Sequence, residues 1–215
     1  MLKQFKIILG FVIGIFISTT TVAQSTFSLE IMTVGLHPFD RPNLQVYENA
    51  LDIDGLFCAE PGLIFSYETF VHENLLSFQF SQALFADAAG QLSGFSEISL
   101  RKVLFHKWRS TIYLSAGPAL TYRKSWALLD HYVPEGGYTT YGTWQIKPWV
   151  IAKIEYDFFI GKKSDISIGF LYGHEYNTFT ATIGYRHWIS TKVKHTRKCN
   201  CGSDKYKKKF REWFW

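Results

Sequence analysis

The 215-residue chain carries a formal net charge of +5, 47% hydrophobic residues and 18% aromatics. The charge is unevenly spread: nine Lys and Arg face only Asp204 and Glu212 from Lys192 onward, Lys3 and Lys6 open the chain, and the body between is mildly acidic. That distribution speaks against a nucleic-acid reader, and the three cysteines Cys58, Cys199 and Cys201 do not form a disulfide framework.

Residues 1–23 begin with Lys3 and Lys6, continue with an apolar run from Ile7 to Ile17 and end in Thr21-Val22-Ala23. This is the pattern of a secretory signal cleaved after Ala23, and the apolar run is too short to span a bilayer as a helix. Further on, the chain has no stretch of about 18 consecutive apolar residues. Transmembrane strands alternate apolar and polar side chains and escape such a scan.

Alternation with period two then recurs along the body. A first strand is expected near Phe27 to Leu36. In FCAEPGLIFSYETFVH, Phe57, Leu63, Phe65, Tyr67 and Val71 alternate with Cys58, Glu60, Gly62, Ser66, Glu68 and His72. LLSFQFSQALF sets Leu76, Phe78, Phe80 and Leu84 against Ser77, Gln79, Ser81 and Ala83, and FSEISLRKVLF sets Ile98, Leu100 and Leu104 against Glu97, Ser99 and Arg101. The same pattern runs through 112–123, 144–158, 166–172 and 179–186, which makes about eight strands.

Short turns are expected at 72–74, 106–108 and 161–165, and longer connections at 37–55, 87–94 and 125–142, with a brief one at 174–177. Short turns at one end and mostly long loops at the other are the build of an outer-membrane barrel, and an even strand count puts both termini on the periplasmic side. A soluble barrel alternates too. Eight strands, however, enclose a lumen only wide enough for side chains or one small ligand. The small and charged face fits inside, and the face crowded with Phe, Tyr, Trp, Ile and Leu fits against lipid. Tyr67, Tyr122, Trp126, Trp144, Tyr156, Tyr172, Tyr176 and Tyr185 share the apolar parity near strand ends, as interfacial girdles do. Lys102, a charge on that face, belongs near an interface.

The leader and, over residues 25–189, the eight alternating strands with the aromatic-rich last strand TFTATIGYRHW resemble small Gram-negative outer-membrane barrels of the OmpA/OmpX type. The resemblance implies an all-β, eight-stranded antiparallel up-and-down transmembrane barrel at 24–189, a signal peptide at 1–23 and, as a departure from those chains, a basic periplasmic tail at 190–215. It implies contact with outer-membrane lipids and lipopolysaccharide, a possible extracellular ligand at the long loops, a monomer, and no cofactor.

Glu30, Glu60, Glu68, Glu97, Arg101, Arg123, Lys147, Lys153, Glu155, Asp157 and Arg186 have the inward parity. Charges in so narrow a lumen must be paired or hydrated. A salt-bridged plug is the expectation, and a small polar pathway is the alternative. His174 shares the even parity of Phe170 and Tyr172, which would place it facing lipid at the rim. The last hairpin is faintly similar to barrel lipid A deacylases, which carry an outward His with a Ser two positions on; here that position is Tyr176, and the inward parity of Thr178 removes the nearest substitute. In the tail, KCNCGSDKYKKKF resembles the opening of the SEC-C zinc motif through Cys199, Cys201, Gly202, Ser203, Tyr206 and Lys207. The second ligand pair is missing, and even with His195 as a third ligand the four-ligand requirement of a structural zinc site is unmet, so no metal is expected there. His131 and Glu135 read as exposed loop residues. The expected role is a non-enzymatic envelope or loop-mediated binding function; a lipid A-modifying enzyme and a small-solute, porin-like channel are the alternatives.

Overall fold

The computed structural model describes residues 24–39, 42–72, 75–134, 137–161, 163–175 and 177–189. The leader, Glu135, Tyr176 and the tail with His195, Cys199 and Cys201 lie outside these residues. Among them, nine strands form one antiparallel sheet: β1 (Ser25–Leu36), β2 (Phe57–His72), β3 (Leu76–Ala86), β4 (Leu92–Lys107), β5 (Ser110–Lys124), β6 (Thr139–Tyr141), β7 (Trp144–Phe159), β8 (Ser164–Tyr172) and β9 (Phe179–Trp188). β6 only extends the third long loop as a ribbon on β7. The other eight are the wall.

The wall closes on itself. β5 pairs with β7 from Ser110↔Phe158 to Lys124↔Trp144, and β1 pairs with β9 from Thr26↔Trp188 to Leu36↔Phe179. Every wall strand therefore has two neighbours and the sheet has no open edge, the condition for placing strands in hydrocarbon. Wall strands run from 9 residues in β8 to 16 in β2, β4 and β7, and about 9–11 suffice to cross a bilayer. No helix among the described residues is long and apolar enough to cross one.

Alternation sends one side chain in and the next out. Leu29, Phe65, Phe80, Ile98, Ile154 and Ile183 stand on the outer surface, with Ile98 59% exposed. A belt of Phe, Ile and Leu all round the barrel is far more apolar area than a water-soluble monomer exposes, so the outer face is the lipid face. Tyr67, Tyr156 and Tyr185 belong to this face, and Lys102 is exposed on it beside the short-turn end, level with Leu76 and Leu114. The long connections expected at one end are present; the second is shorter than expected because β3 continues to Ala86 and β4 starts at Leu92.

Trp126 departs from the expected girdle. The chain leaves β5 at Ser125 and makes a 3-10 turn over Trp126–Leu128. That turn folds the indole inward, 2% exposed, into a small core with Val46, Cys58, Ala88 and Ala89, which Tyr47 and Tyr132 flank. Trp126 Nε1 donates to Asp87 Oδ2 (2.8 Å), which also accepts from Ser93 Oγ (2.9 Å), while Asp87 Oδ1 accepts the Gln91 amide (2.7 Å). Asn43 ties the first loop to the third by donating to Val133 O (3.0 Å) and accepting the Val133 amide (2.7 Å). The long loops thus pack into a lid.

Two outcomes follow from this architecture. Phe65→Arg puts a cation on the lipid face near the middle of β2 and is expected to cost about 2–4 kcal/mol in unfolding experiments from lipid vesicles; no loss of stability would argue against a lipid-facing belt. Asp87→Ala leaves the Trp126 N–H, the Gln91 N–H and Ser93 without their acceptor, at about 1–3 kcal/mol for each group left unsatisfied. Chymotryptic cleavage in the 125–143 loop is expected to accelerate while the wall remains resistant.

Candidate functional site

Inside the wall, side chains stack in layers along the barrel axis. Nearest the short turns, Phe70 stacks on Trp188 (centroids 5.3 Å), and Trp188 Nε1 donates to Asp165 Oδ2 (2.6 Å). Above lies the charge network. Arg101 of β4 donates from Nη1 to Glu68 Oε1 of β2 (3.0 Å) and from Nη2 to Asp157 Oδ2 of β7 (3.0 Å), and also contacts Glu155. Arg186 of β9 pairs with Asp157 and Glu155, and its Nε lies 3.8 Å from Glu68 Oε2. Lys153 Nζ reaches both oxygens of Glu30 of β1 (2.6 Å) and Glu155.

Smaller donors complete the shells. Thr26 Oγ1 donates to Glu68 Oε2 (3.0 Å), Ser77 Oγ bonds the other Glu68 oxygen, and Thr182 Oγ1 donates to Glu30 Oε2 (2.8 Å). The Arg101 guanidinium lies over the Tyr113 ring at 3.3 Å from its centroid. Every link from Arg101 or Arg186 to Glu68, Glu155 or Asp157 spans at least one intervening strand, so the network ties opposite parts of the wall together.

The eleven inward charges do not form one set. Seven of them, Glu30, Glu68, Arg101, Lys153, Glu155, Asp157 and Arg186, make this network. Glu97 is buried on the same inner face, but its Oε1 has no hydrogen-bond partner among the described residues. Arg123 sits higher, over Trp126 (3.7 Å) and Tyr138 (4.0 Å), and donates to Gln145 Oε1 (3.0 Å). Lys147 Nζ lies 5.1 Å from the Tyr138 and Trp149 rings. Glu60 belongs to a different group.

An apolar layer separates that group from the network. Met32, Ile64, Ala83, Phe85, Phe95, Ala119, Ile151 and Leu171 form one buried cluster inside the lumen. The parity argument expected a small or charged inner face; it placed Ala83 there and missed the bulky members of the layer. Their signal in the sequence is local loss of alternation: Leu63-Ile64-Phe65, Val150-Ile151 and Phe170-Leu171-Tyr172 are apolar on both faces.

Beyond that layer, at the long-loop mouth, Glu60 accepts from two histidines. His37 Nε2 is 2.8 Å from Glu60 Oε1, and His174 Nε2 is 2.7 Å from Glu60 Oε2. The outward placement expected for His174 is wrong: it is 1% exposed, with its ring edge-on to Phe85 in the lumen. β8 ends at Tyr172, and Gly173 adopts φ +93, a left-handed conformation open to glycine that resets the direction of the next side chain. An added Cβ there would also meet Val150 O at 2.6 Å.

His37 enters by a second reset. Register shifts between Met32 and Val34 on the β2 side, and between Met32 and Gly35 on the β9 side, mark a bulge in β1. Even residues point inward before it and odd ones after it, so His37 is buried although its number alone reads as outward. Gly35 faces inward above the bulge, and Glu60 fills the space a side chain there would need: a Cβ would sit 1.9 Å from Glu60 Oε2.

Thr178 completes the group. Its Oγ1 accepts the Glu175 amide (3.2 Å) and lies 3.1 Å from His174 Nδ1. In the tautomer whose Nε2–H donates to the Glu60 carboxylate and whose Nδ1 carries no hydrogen, Nδ1 is an acceptor for the Thr178 hydroxyl. The hydroxyl, imidazole and carboxylate stand in the order of a nucleophile-base-orienter relay. All three are sealed under the lid, and the outward His of a lipid A deacylase-like rim is not there. His131 is exposed in the third loop.

Arg101→Ala would leave Glu68, Glu155 and Asp157 one buried positive charge short, with Arg186 as the one arginine still shared among them. Removing one partner of a buried ionic group costs about 3–5 kcal/mol, and that loss is expected in urea unfolding from lipid vesicles.

No protein-family model matches this sequence, and no curated protein matches it. Among solved structures, the chain is similar to Neisserial surface protein A, with 11% identity over 77% of this chain and 96% of that one and a TM-score of 0.48. The N-terminal β-barrel domain of Pseudomonas aeruginosa OprF matches at 12% identity over 78% of this chain and 100% of that one, with a TM-score of 0.43. Ail of Yersinia pestis, in complex with the heparin analogue sucrose octasulfate, matches at 11% over 77% and 97%, also with a TM-score of 0.43. By its closed strand pairing, apolar outer belt and packed interior, the chain has the fold of the small eight-stranded outer-membrane barrels.

Proposed function

We propose that this protein is a closed, non-enzymatic outer-membrane barrel that acts as a rigid platform for its long-loop end. The observation that carries the reading is the filled lumen. A solute would have to pass the loop lid, the layer of Phe85, Phe95, Ile151 and Leu171, and then the guanidinium groups of Arg101 and Arg186 held among three carboxylates. Opening such a path would expose buried charges that have partners only in the closed state. A channel function has no support from this arrangement.

The long-loop end presents apolar side chains above the lid. Phe39, Leu51, Ile53, Leu128, Val133 and Tyr141 are exposed there, with Ile53 at 97%. Loops held on a rigid scaffold are where binding residues concentrate, and these supply contact area for a partner at the cell surface or for neighbouring lipopolysaccharide. On this reading the long loops face outward, and residues 24 and 189 lie on the periplasmic side. The support is the even number of wall strands and the short turns at the end where the described chain begins and finishes.

Planar-bilayer recording and mass spectrometry of lipid A test the reading together. Purified protein is expected to give no steady single-channel current, and lipid A from expressing cells is expected to match that from cells with empty vector. A stable conductance would overturn the closed lumen; a lost or added acyl chain would overturn the non-enzymatic assignment.

A further inference from the structure

We propose that the mouth of the barrel binds one divalent metal ion of the Zn²⁺ kind, through a ring nitrogen of His37 and the carboxylates of Glu60 and Glu175. The three residues are buried, and their ligand atoms lie within 4.8 Å of one another. They come from separate parts of the fold: His37 just past β1, Glu60 from β2 and Glu175 from the connection between β8 and β9. The bulge in β1 and the turn at Gly173 are what bring the first and last of them to Glu60.

Hydrogen bonding explains part of this cluster and leaves the rest open. His37 and His174 satisfy the two oxygens of Glu60. Glu175 is different: it is 9% exposed, and its Oε1 has no hydrogen-bond partner among the described residues. Two carboxylates cannot share a dry site without a proton or a cation between them. A divalent ion removes the conflict: it takes the place of the Glu175 proton, which leaves to solvent, and both carboxylates then face the same positive charge.

The donor set selects the ion. One imidazole and two carboxylates, with a fourth position for water, suit Zn²⁺ and its borderline neighbours better than Ca²⁺ or Mg²⁺, which favour all-oxygen shells. Outer contacts are in place as well. His174 Nε2 holds the Glu60 Oε2 atom, and Thr178 Oγ1 both fixes the His174 ring and accepts the Glu175 amide. Such contacts orient ligating carboxylates and are commonly built into metal sites. Gly35 leaves the Glu60 carboxylate its space.

The test uses the full chain refolded in detergent, stripped with chelator and titrated with ZnCl₂ by calorimetry, with elemental analysis for stoichiometry. A double variant, Cys199→Ser with Cys201→Ser, separates this site from thiol binding in the tail. Expected are one zinc per chain in the parent and in the double variant, and at least about 100-fold weaker binding in Glu175→Gln, which keeps the side-chain volume and removes the ligand charge. His131→Asn, in the exposed third loop, is expected to bind as the parent does. Heat-shifted mobility on gels verifies that each variant is folded; if Glu175→Gln lacks the shift, His37→Gln is measured in its place with the same expectation. The proposal is overturned if the parent takes up no zinc, if the ligand variant binds as the parent does, or if the cysteine variant abolishes uptake.

Discussion

The contact on which the rest of the barrel depends is the pair of guanidinium groups, Arg101 and Arg186, held among Glu68, Glu155 and Asp157. Strand pairing alone fixes each strand to its two neighbours. These side chains fix β4 and β9 to β2 and β7 across the lumen, so the circular section of the wall is set from inside as well as along its hydrogen bonds. The outer face cannot supply that constraint, because lipid is as apolar as the side chains it touches and gives no inward drive. A barrel whose exterior is solvated by hydrocarbon must take its specificity from polar contacts and packing within.

Layering follows from the same constraint. Charges that must stay paired are best kept from water, and the lumen supplies a seal on each side of them: Phe70 with Trp188 toward the short turns, and the cluster around Ile64, Phe85 and Phe95 toward the long loops. The loop core around Trp126 adds a third seal above the mouth. Between the apolar layer and that core lies the group of His37, Glu60, His174 and Glu175, a second polar compartment isolated from the first. Its composition differs in kind. The lower network balances arginine and lysine against carboxylates, whereas the upper one holds carboxylates and histidines, groups whose charge depends on what binds them.

Much of the wall was legible in the sequence because period-two patterning is a direct consequence of strand geometry, and the inward charges could be named from parity alone. Parity failed where the backbone is irregular. His37 needed a bulge in β1 and His174 a left-handed glycine, and neither feature shifts the composition of its strand. Trp126 was misplaced for a related reason: a strand ends where its tertiary contacts end, and the 3-10 turn that redirects the indole depends on Asp87, 39 residues away in the chain. The inner apolar layer was visible as lost alternation but was read through the expectation of a polar lumen. Which charges join which network was not legible at all, since that depends on the stagger of the strands around the barrel.

A double-mutant cycle between Arg101 and Glu68, measured as unfolding free energy from lipid vesicles, tests most directly whether the interior holds the wall together. Arg101→Met, Glu68→Leu and the double variant remove the charges while keeping apolar volume. The account requires a coupling of about 1–3 kcal/mol, with the double variant less destabilised than the sum of the two single ones. Additive effects would mean that the wall is held by strand pairing alone and that the central charges are passengers in the lumen.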